Sequence, residues 1–169
     1  MILDVFSRKI VGHEVQLAES AELAAQMMRK ASLAEGLAGR KVVLHSDNGS
    51  SMKGATMLAT LEQLGVAASF SRPRVSNDNA YAESLFRTCK YRPNYPRQPF
   101  ASMEEARIWT LQFVRWYNQQ HKHSGLKFVT PNERHNGTRK RSWSIVRKCI
   151  RPPRNAIQSV GQARPETGY

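Results

Sequence analysis

The 169-residue chain carries 26 lysines and arginines against 13 acids, a formal net charge of +13 and a pI near 10.4. Its length suits one domain with a sizeable core, and its charge calls for a polyanionic partner, because each phosphate neutralised releases condensed counterions. No apolar run approaches the roughly 20 residues of a membrane span, no signal-peptide pattern opens the sequence, and two cysteines without a C-x-x-C pair give no disulfide framework, so a reducing cytosol is the expected compartment.

Residues 2–6 and 9–15 are β-rich runs separated by Ser7-Arg8 and predict an antiparallel pair with a tight turn. Ser20 is a good N-cap, and Leu23, Met27 and Ala31 follow at helical spacing up to Gly36, which predicts an amphipathic helix covering the sheet. Residues 41–44 return as a strand, after a crossover long enough to make it parallel to a neighbour. It ends at His45-Ser46-Asp47, where Asn48-Gly49-Ser50 turns the chain out of the sheet. His45 either orients the Asp47 carboxylate, touches a ligand, or packs at the sheet end. A second helix is expected over 54–64, with Met57, Leu58, Leu61 and Leu64 on its buried side and Gly65 as its cap, then a last strand over 66–70.

The polar loop 71–77 carries Arg72 and Arg74, a pair suited to holding a phosphate. Asp78 is the expected N-cap of a helix on which Glu83, Arg87 and Lys90, spaced by four and three residues, share one face. Prolines and arginines between 92 and 99 break that helix. Ser102 caps a long one, whose Trp109, Phe113, Trp116 and Tyr117 pack it against the sheet. His121-x-His123 has no Cys, Asp or Glu at zinc-like spacing and is not expected to bind zinc. From residue 138 the sequence is basic, broken by prolines and weakly periodic, so 138–169 reads as a disordered or DNA-binding tail on a domain spanning 1–137.

Asp47 and Glu83, with 35 residues between them, are a strand-end carboxylate and a helix carboxylate that can converge on a hard divalent cation. Two such cations can activate the attacking oxygen and stabilise the leaving one in phosphoryl transfer. HSDNGS, followed by DNAYAESLFRTCK with Lys90 seven residues after Glu83, resembles the second half of the DDE signature of insertion-sequence transposases, and most closely their IS3-type group, relatives of retroviral integrases. LDVFSRKIVGHEV near the start and FVRWYNQQHKHSGLKFVTPNERHNG near the end add to the likeness, which covers roughly residues 2–137.

The resemblance implies a ribonuclease H-like α/β fold, a mixed sheet flanked by helices, with Asp47 and Glu83 catalytic and bound to Mg2+ or Mn2+. It also implies DNA contacts from Lys90, Arg87, Arg72, Arg74, Asn79 and Lys53, a homo-oligomer assembled on DNA, and a bacterial, nucleoid-associated protein. A DDE site has three carboxylates, and the family's first Asp lies on the strand before LDVFSRKIVG, about ten residues upstream of Met1 for ordinary strand and turn lengths. Asp4 belongs to the second strand of that pattern and is a structural or solvent-facing residue. A fold lacking its first, central strand leaves two neighbouring edges unpaired, so the expectation is either that the second strand slides across to pair with the Asp47 strand or that the domain folds poorly. The implied activity is DNA strand cleavage and transfer, impaired in this chain. A non-catalytic DNA-binding remnant that regulates transposition is the second reading, and a metal-dependent nuclease of the same fold the third.

Overall fold

The computed structural model describes residues 1–72 and 76–137. Arg74 and the expected tail over 138–169 lie outside them. Four strands and six helices follow one another: β1 (Ile2–Leu3), β2 (Ile10–Gly12), α1 (Ala21–Ala34), β3 (Val42–Ser46), α2 (Ser50–Lys53), α3 (Ala55–Gln63), β4 (Val66–Phe70), α4 (Ala80–Lys90), α5 (Met103–Gln119) and α6 (Pro131–His135).

β1 and β2 pair antiparallel, Leu3 opposite Ile10 and Ile2 opposite Gly12 with an irregularity between. Both are shorter than the sequence suggests, because Asp4 pulls the chain into a turn. Its carboxylate accepts the Phe6 and Ser7 backbone N–H groups at 3.3 and 3.1 Å and the Ser7 hydroxyl, while Arg8 takes a left-handed φ of 63°. The outer edge of β2 is closed by a side chain. Asn118 of α5 accepts from the Ile10 N–H and donates to the Ile10 carbonyl, both at 2.9 Å and both buried, as a further strand would.

β3 and β4 pair parallel in continuous register from Val42–Val66 to Ser46–Phe70. Of the two outcomes expected for a missing central strand, the sliding of the second strand does not hold. β1 does not slide across to β3; the strands form two separate two-stranded sheets, and the helices hold both. α1 and α3 cover them on one side, where Ile2, Val42 and Leu44 all pack against Ala25, Met28, Met57, Leu61 and Val66. On the other side α4 and α5 bury Leu85, Cys89, Phe113, Val114 and Tyr117 with Ile10 and Leu3. One helical roof thus spans a seam in the sheet.

Three local expectations are corrected. Leu58 is 39% exposed and Thr60 takes its place on the buried side, because Thr60 Oγ1 donates to the Thr56 carbonyl at 2.8 Å and accepts from Arg29 of α1 at 2.9 Å. The helix expected over 54–64 is preceded by the short α2. Gly54 separates the two, where a Cβ would sit 2.6 Å from the Ala21 Cβ. Asp78 does not cap α4: it accepts from the Arg72 N–H, Nε and Nη2 at 2.7, 3.0 and 2.8 Å, and a 3-10 turn over Ser76–Asn79 leads into the helix instead. Ser20 and Ser102 do cap α1 and α5, accepting from Leu23 and Glu105 at 3.1 Å.

α6 carries a capping box between Thr130 and Glu133 and returns the end of the domain to its start. His135 Nδ1 lies 3.2 Å from Ser7 Oγ and 3.3 Å from Asp4, its Nε2 is 2.7 Å from Glu35, and Glu35 in turn bridges to Lys9 at 2.7 Å. Asp4 is spent on this latch and on its own turn.

Candidate functional site

Asp47 follows the last residue of β3. Its Oδ1 accepts the Gly49 N–H at 3.1 Å, which closes the turn, and the rest of the exposed carboxylate stands clear of that bond. The turn is fastened to the next strand by Asn48, whose Nδ2 donates to the Ser71 carbonyl at 2.8 Å. His45, the alternative open at the sequence level, packs between two β4-side hydroxyls: Nδ1 is 2.9 Å from Ser69 Oγ and Nε2 3.4 Å from Ser71 Oγ. It sits beside the Asp47 turn and shares a cavity with it.

α4 places the other half. Leu85 and Cys89 anchor its inner face at 3% and 7% exposure, which turns Glu83, Arg87 and Lys90 outward on the opposite side. An open groove of about 900 Å³ is lined by Asp47 on one wall and by Asn79, Glu83, Arg87 and Lys90 on the other. The structure therefore brings together five of the eight residues singled out in the sequence. No ion pair joins Glu83 to Arg87 among the described residues; Arg87 lies instead over the Tyr91 ring, 5.9 Å from its centroid. The Glu83 carboxylate is left for the groove.

Arg72 and Lys53 lie outside this lining. Arg72 is paired bidentately with Asp78, whose carboxyl that guanidinium holds down at about 2, and Lys53 sits 5.3 Å from the Phe70 ring centroid. The Arg72 N–H and guanidinium both donate to the Asp78 carboxylate, which ties the end of β4 to the turn that leads into α4. Three residues near the two carboxylates escaped the sequence reading, two in the groove and one in the neighbouring cavity that Asp47 also lines. Phe86 and Tyr91 are 49% and 81% exposed beside the carboxylates, a placement that the helical spacing from Glu83 could have shown. Glu19 is the third: it accepts from Ser51 at 2.7 Å, and its Oε1 lies 3.7 Å from where a Gly49 Cβ would be, next to Asp47 Oδ1 at 3.1 Å from the same point. No local sequence signal marks that pairing.

Among the described residues no cluster of three or more His, Cys, Asp and Glu side chains is arranged to hold a metal ion. Asp47 and Glu83 both line the groove, and a hard cation such as Mg2+ takes oxygen ligands while retaining waters.

The fold is that of a ribonuclease H-like integrase catalytic core. The catalytic core domain of BIV integrase matches with a TM-score of 0.55 at 18% identity, over 80% of this chain and 86% of that one. A chain from the simian T-cell lymphotropic virus intasome in complex with PP2A regulatory subunit B56 gamma matches with a TM-score of 0.58 at 17% identity, over 99% of this chain and 52% of that one. Two family models, both described as an integrase core domain, match residues 1–76 and 64–131. Sequence relatives narrow the class. The transposase for insertion sequence element IS904 of Lactococcus lactis is 31% identical over 137 residues, and that for IS629 of Shigella sonnei 30% identical over 132. The putative transposase for IS986/IS6110 of Mycobacterium tuberculosis strain H37Rv is 26% identical over 136 residues. Each alignment takes in 78% of this chain but only 51%, 44% and 49% of the relative, so the chain spans about half their length. This chain belongs to the integrase-core family of insertion-sequence DDE transposases, whose members carry out DNA transposition and integration.

Proposed function

We propose that the groove between Asp47 and Glu83 is a DNA phosphodiester site of an IS3-type transposase, serving strand cleavage and the joining of a 3′ hydroxyl to target DNA. The observation that carries this reading is the meeting of the two carboxylates with Arg87 and Lys90 in one open groove. Asp47 and Glu83 would hold Mg2+ or Mn2+, which when bound neutralises charge developing on the phosphate and its attacking and leaving oxygens. Arg87 and Lys90 would grip phosphates on either side of the reacting one, the first as a planar fork and the second as a point charge. Asn79 contributes an amide at the mouth of the groove. Arg72 and Lys53 extend the basic track away from it, Arg72 after exchanging Asp78 for a phosphate, and Arg74, outside the described residues, is proposed as a further DNA contact. DNA is the partner, with copies of this chain assembled on it, in the bacterial cytoplasm at the nucleoid.

The groove supplies two carboxylates where a DDE site uses three. Asp4 is held in its own turn and against His135, on a different cavity from Glu83, so it does not complete the set. Strand transfer by this chain is therefore expected to lie at least roughly 10–100-fold below that of a three-carboxylate site. The test measures cleavage and joining of labelled insertion-sequence ends in Mg2+ and Mn2+. Residual activity is expected to vanish in Asp47→Asn and to persist in Asp4→Asn; loss in Asp4→Asn alone would overturn the assignment.

The net charge of +13 favours one further reading, a DNA-binding regulator without catalysis. It predicts salt-dependent DNA binding that is the same in the wild type and in Asp47→Asn, with no metal-dependent product.

A further inference from the structure

Of the tyrosines among the described residues, all but one are engaged by the protein itself. Tyr117 is 2% exposed, Tyr81 lies under the Arg8 guanidinium at 3.5 Å, and Tyr95 meets the Trp109 ring edge-on at 5.5 Å. Tyr91 differs. It is 81% exposed, no aromatic ring packs against it among the described residues, and it lines the groove beside Arg87 and Lys90. Its backbone is nevertheless fixed from both sides. Tyr91 caps α4, its N–H donating to the Arg87 carbonyl at 3.0 Å, two residues beyond the buried Cys89. Immediately after it, Arg92 lies over the Trp116 ring at 4.3 Å, and the Asn94 carbonyl accepts from Trp109 Nε1 at 2.9 Å. The chain thus holds a flat aromatic surface out in solvent on a rigid mount, with the Arg87 guanidinium 5.9 Å from the ring centroid.

We infer that Tyr91 is a stacking platform for an unpaired base of the DNA strand in the groove, so that the bound DNA end is frayed and not fully paired. This rests on the phosphodiester reading of the groove and adds to it the state of the substrate. Spacing along α4 sets which base is met. At 1.5 Å per residue, Arg87 stands about 6 Å and Tyr91 about 12 Å beyond Glu83 along the helix axis. A stacked strand advances about 3.4 Å per nucleotide, so a strand running along α4 reaches Tyr91 roughly three or four nucleotides from the phosphate at Glu83. An unstacked strand gets there sooner. Inside a duplex both faces of every base are covered by their neighbours, and a ring on the groove wall gains no stacking. Only a base at an end or out of its pair offers a free face, and stacking on an aromatic ring then stabilises the complex whatever the base. The cations beside the ring suit such a strand: Arg87 and Lys90 take phosphates while the ring takes the base.

The probes are a short, fully paired duplex, the same duplex with its last four pairs mismatched into a fork, and the fork with abasic sites in place of those bases. Affinity of the full chain for each is measured at one salt concentration, because phosphate contacts vary steeply with salt. The wild type is expected to favour the fork over both other probes by roughly 5- to 150-fold, the range that stacking of one base supports. Tyr91→Ala and Tyr91→Leu should lose that preference and Tyr91→Phe should keep it, since leucine supplies an apolar surface without a π face. Lys90→Ala should weaken binding of all three probes and leave the preference for the fork in place. Equal affinity for the fork and its abasic form overturns the inference, as does a preference that survives in Tyr91→Ala or Tyr91→Leu or is lost in Tyr91→Phe. In each of those cases weaker binding by Lys90→Ala leaves the groove reading standing. If Lys90→Ala alters no probe, DNA does not lie in the groove, and both readings fall together.

Discussion

His123 packs edge-on against Tyr117 and His121, with ring centroids 4.9 and 4.3 Å away, and its buried Nε2 has no hydrogen-bond partner. Burial, then the neighbouring His121 and Arg8, push its pKa down to about 4. A base whose pKa falls on folding is protonated more readily in the unfolded chain, so stability is full above the ordinary histidine value near 6.5 and is lost as pH falls towards 4. Asp4 and Glu35 act lower on the scale. Burial alone would raise both, but hydrogen bonds from Ser7, Phe6 and His135 to Asp4, and from Lys9 and His135 to Glu35, outweigh it and hold both below the usual carboxylate range. Their contribution is present above the unfolded carboxylate values and disappears as pH drops through the depressed ones. Thermal melts from pH 7.5 to 3 should therefore decline in two stages, and His123→Phe, which keeps a ring and removes the titrating nitrogen, should flatten the upper stage only. An unaltered upper stage in that variant would assign it to another group. The Asp47 and Glu83 positions were legible because a strand end before Asn-Gly and a 3.6-residue spacing are local signals. The cap role of Asp78 was misread for an equally concrete reason: Arg72, six residues upstream, offers the same carboxylate three hydrogen bonds.

Strands β1 and β2 owe their stability to side chains from elsewhere in the chain. A two-stranded hairpin is marginal in water, and here the helix α5 substitutes for a neighbouring strand through Asn118. Replacing Asn118 by Leu preserves bulk and leaves the Ile10 N–H and carbonyl buried without partners, at a cost of roughly 2–4 kcal/mol. The expected signature is a melting temperature lower by roughly 5–15 °C, with a rise in aggregation as the freed edge finds other chains. At the same scale, Phe113 is fully buried and stacked on Trp109, centroids 5.6 Å apart and rings within 3° of parallel. Phe113→Ala should cost about 3–5 kcal/mol in chemical denaturation, more than any single change on the groove face. Elements of this kind were readable from periodicity and caps, whereas their partnerships were not. Leu58 and Thr60 show why: which face of α3 turns inward is decided by Arg29 of α1, 31 residues before Thr60, and hydropathy within the helix contains no record of it.

The whole molecule is a strongly basic body whose carboxylates are largely committed to internal contacts, and this sets its behaviour towards DNA. Binding should weaken steeply with salt, and the slope of log affinity against log salt concentration should fall by about one in Lys90→Ala. Arg72→Ala should change it less, because that arginine must first leave Asp78. Equal effects of the two substitutions would show that the Asp78 pair does not persist on DNA. Net charge was visible in the sequence because it is a sum over many residues, and the gap between the sheets followed from the fold that the motifs resemble; the packing of helices that holds the two sheets was not, since it is a relation between distant segments.

The latch at His135 brings residues 128 and 131 positions apart in sequence into contact. A growing chain leaves the ribosome with its N-terminal residues first, so Asp4, Ser7 and Glu35 wait for α6 until nearly the whole described domain has been synthesised. Closure of so long a loop is entropically costly and raises the mean sequence separation of native contacts. Folding should accordingly be completed late, with the turn at Asp4 held open during translation and fixed only when α6 arrives.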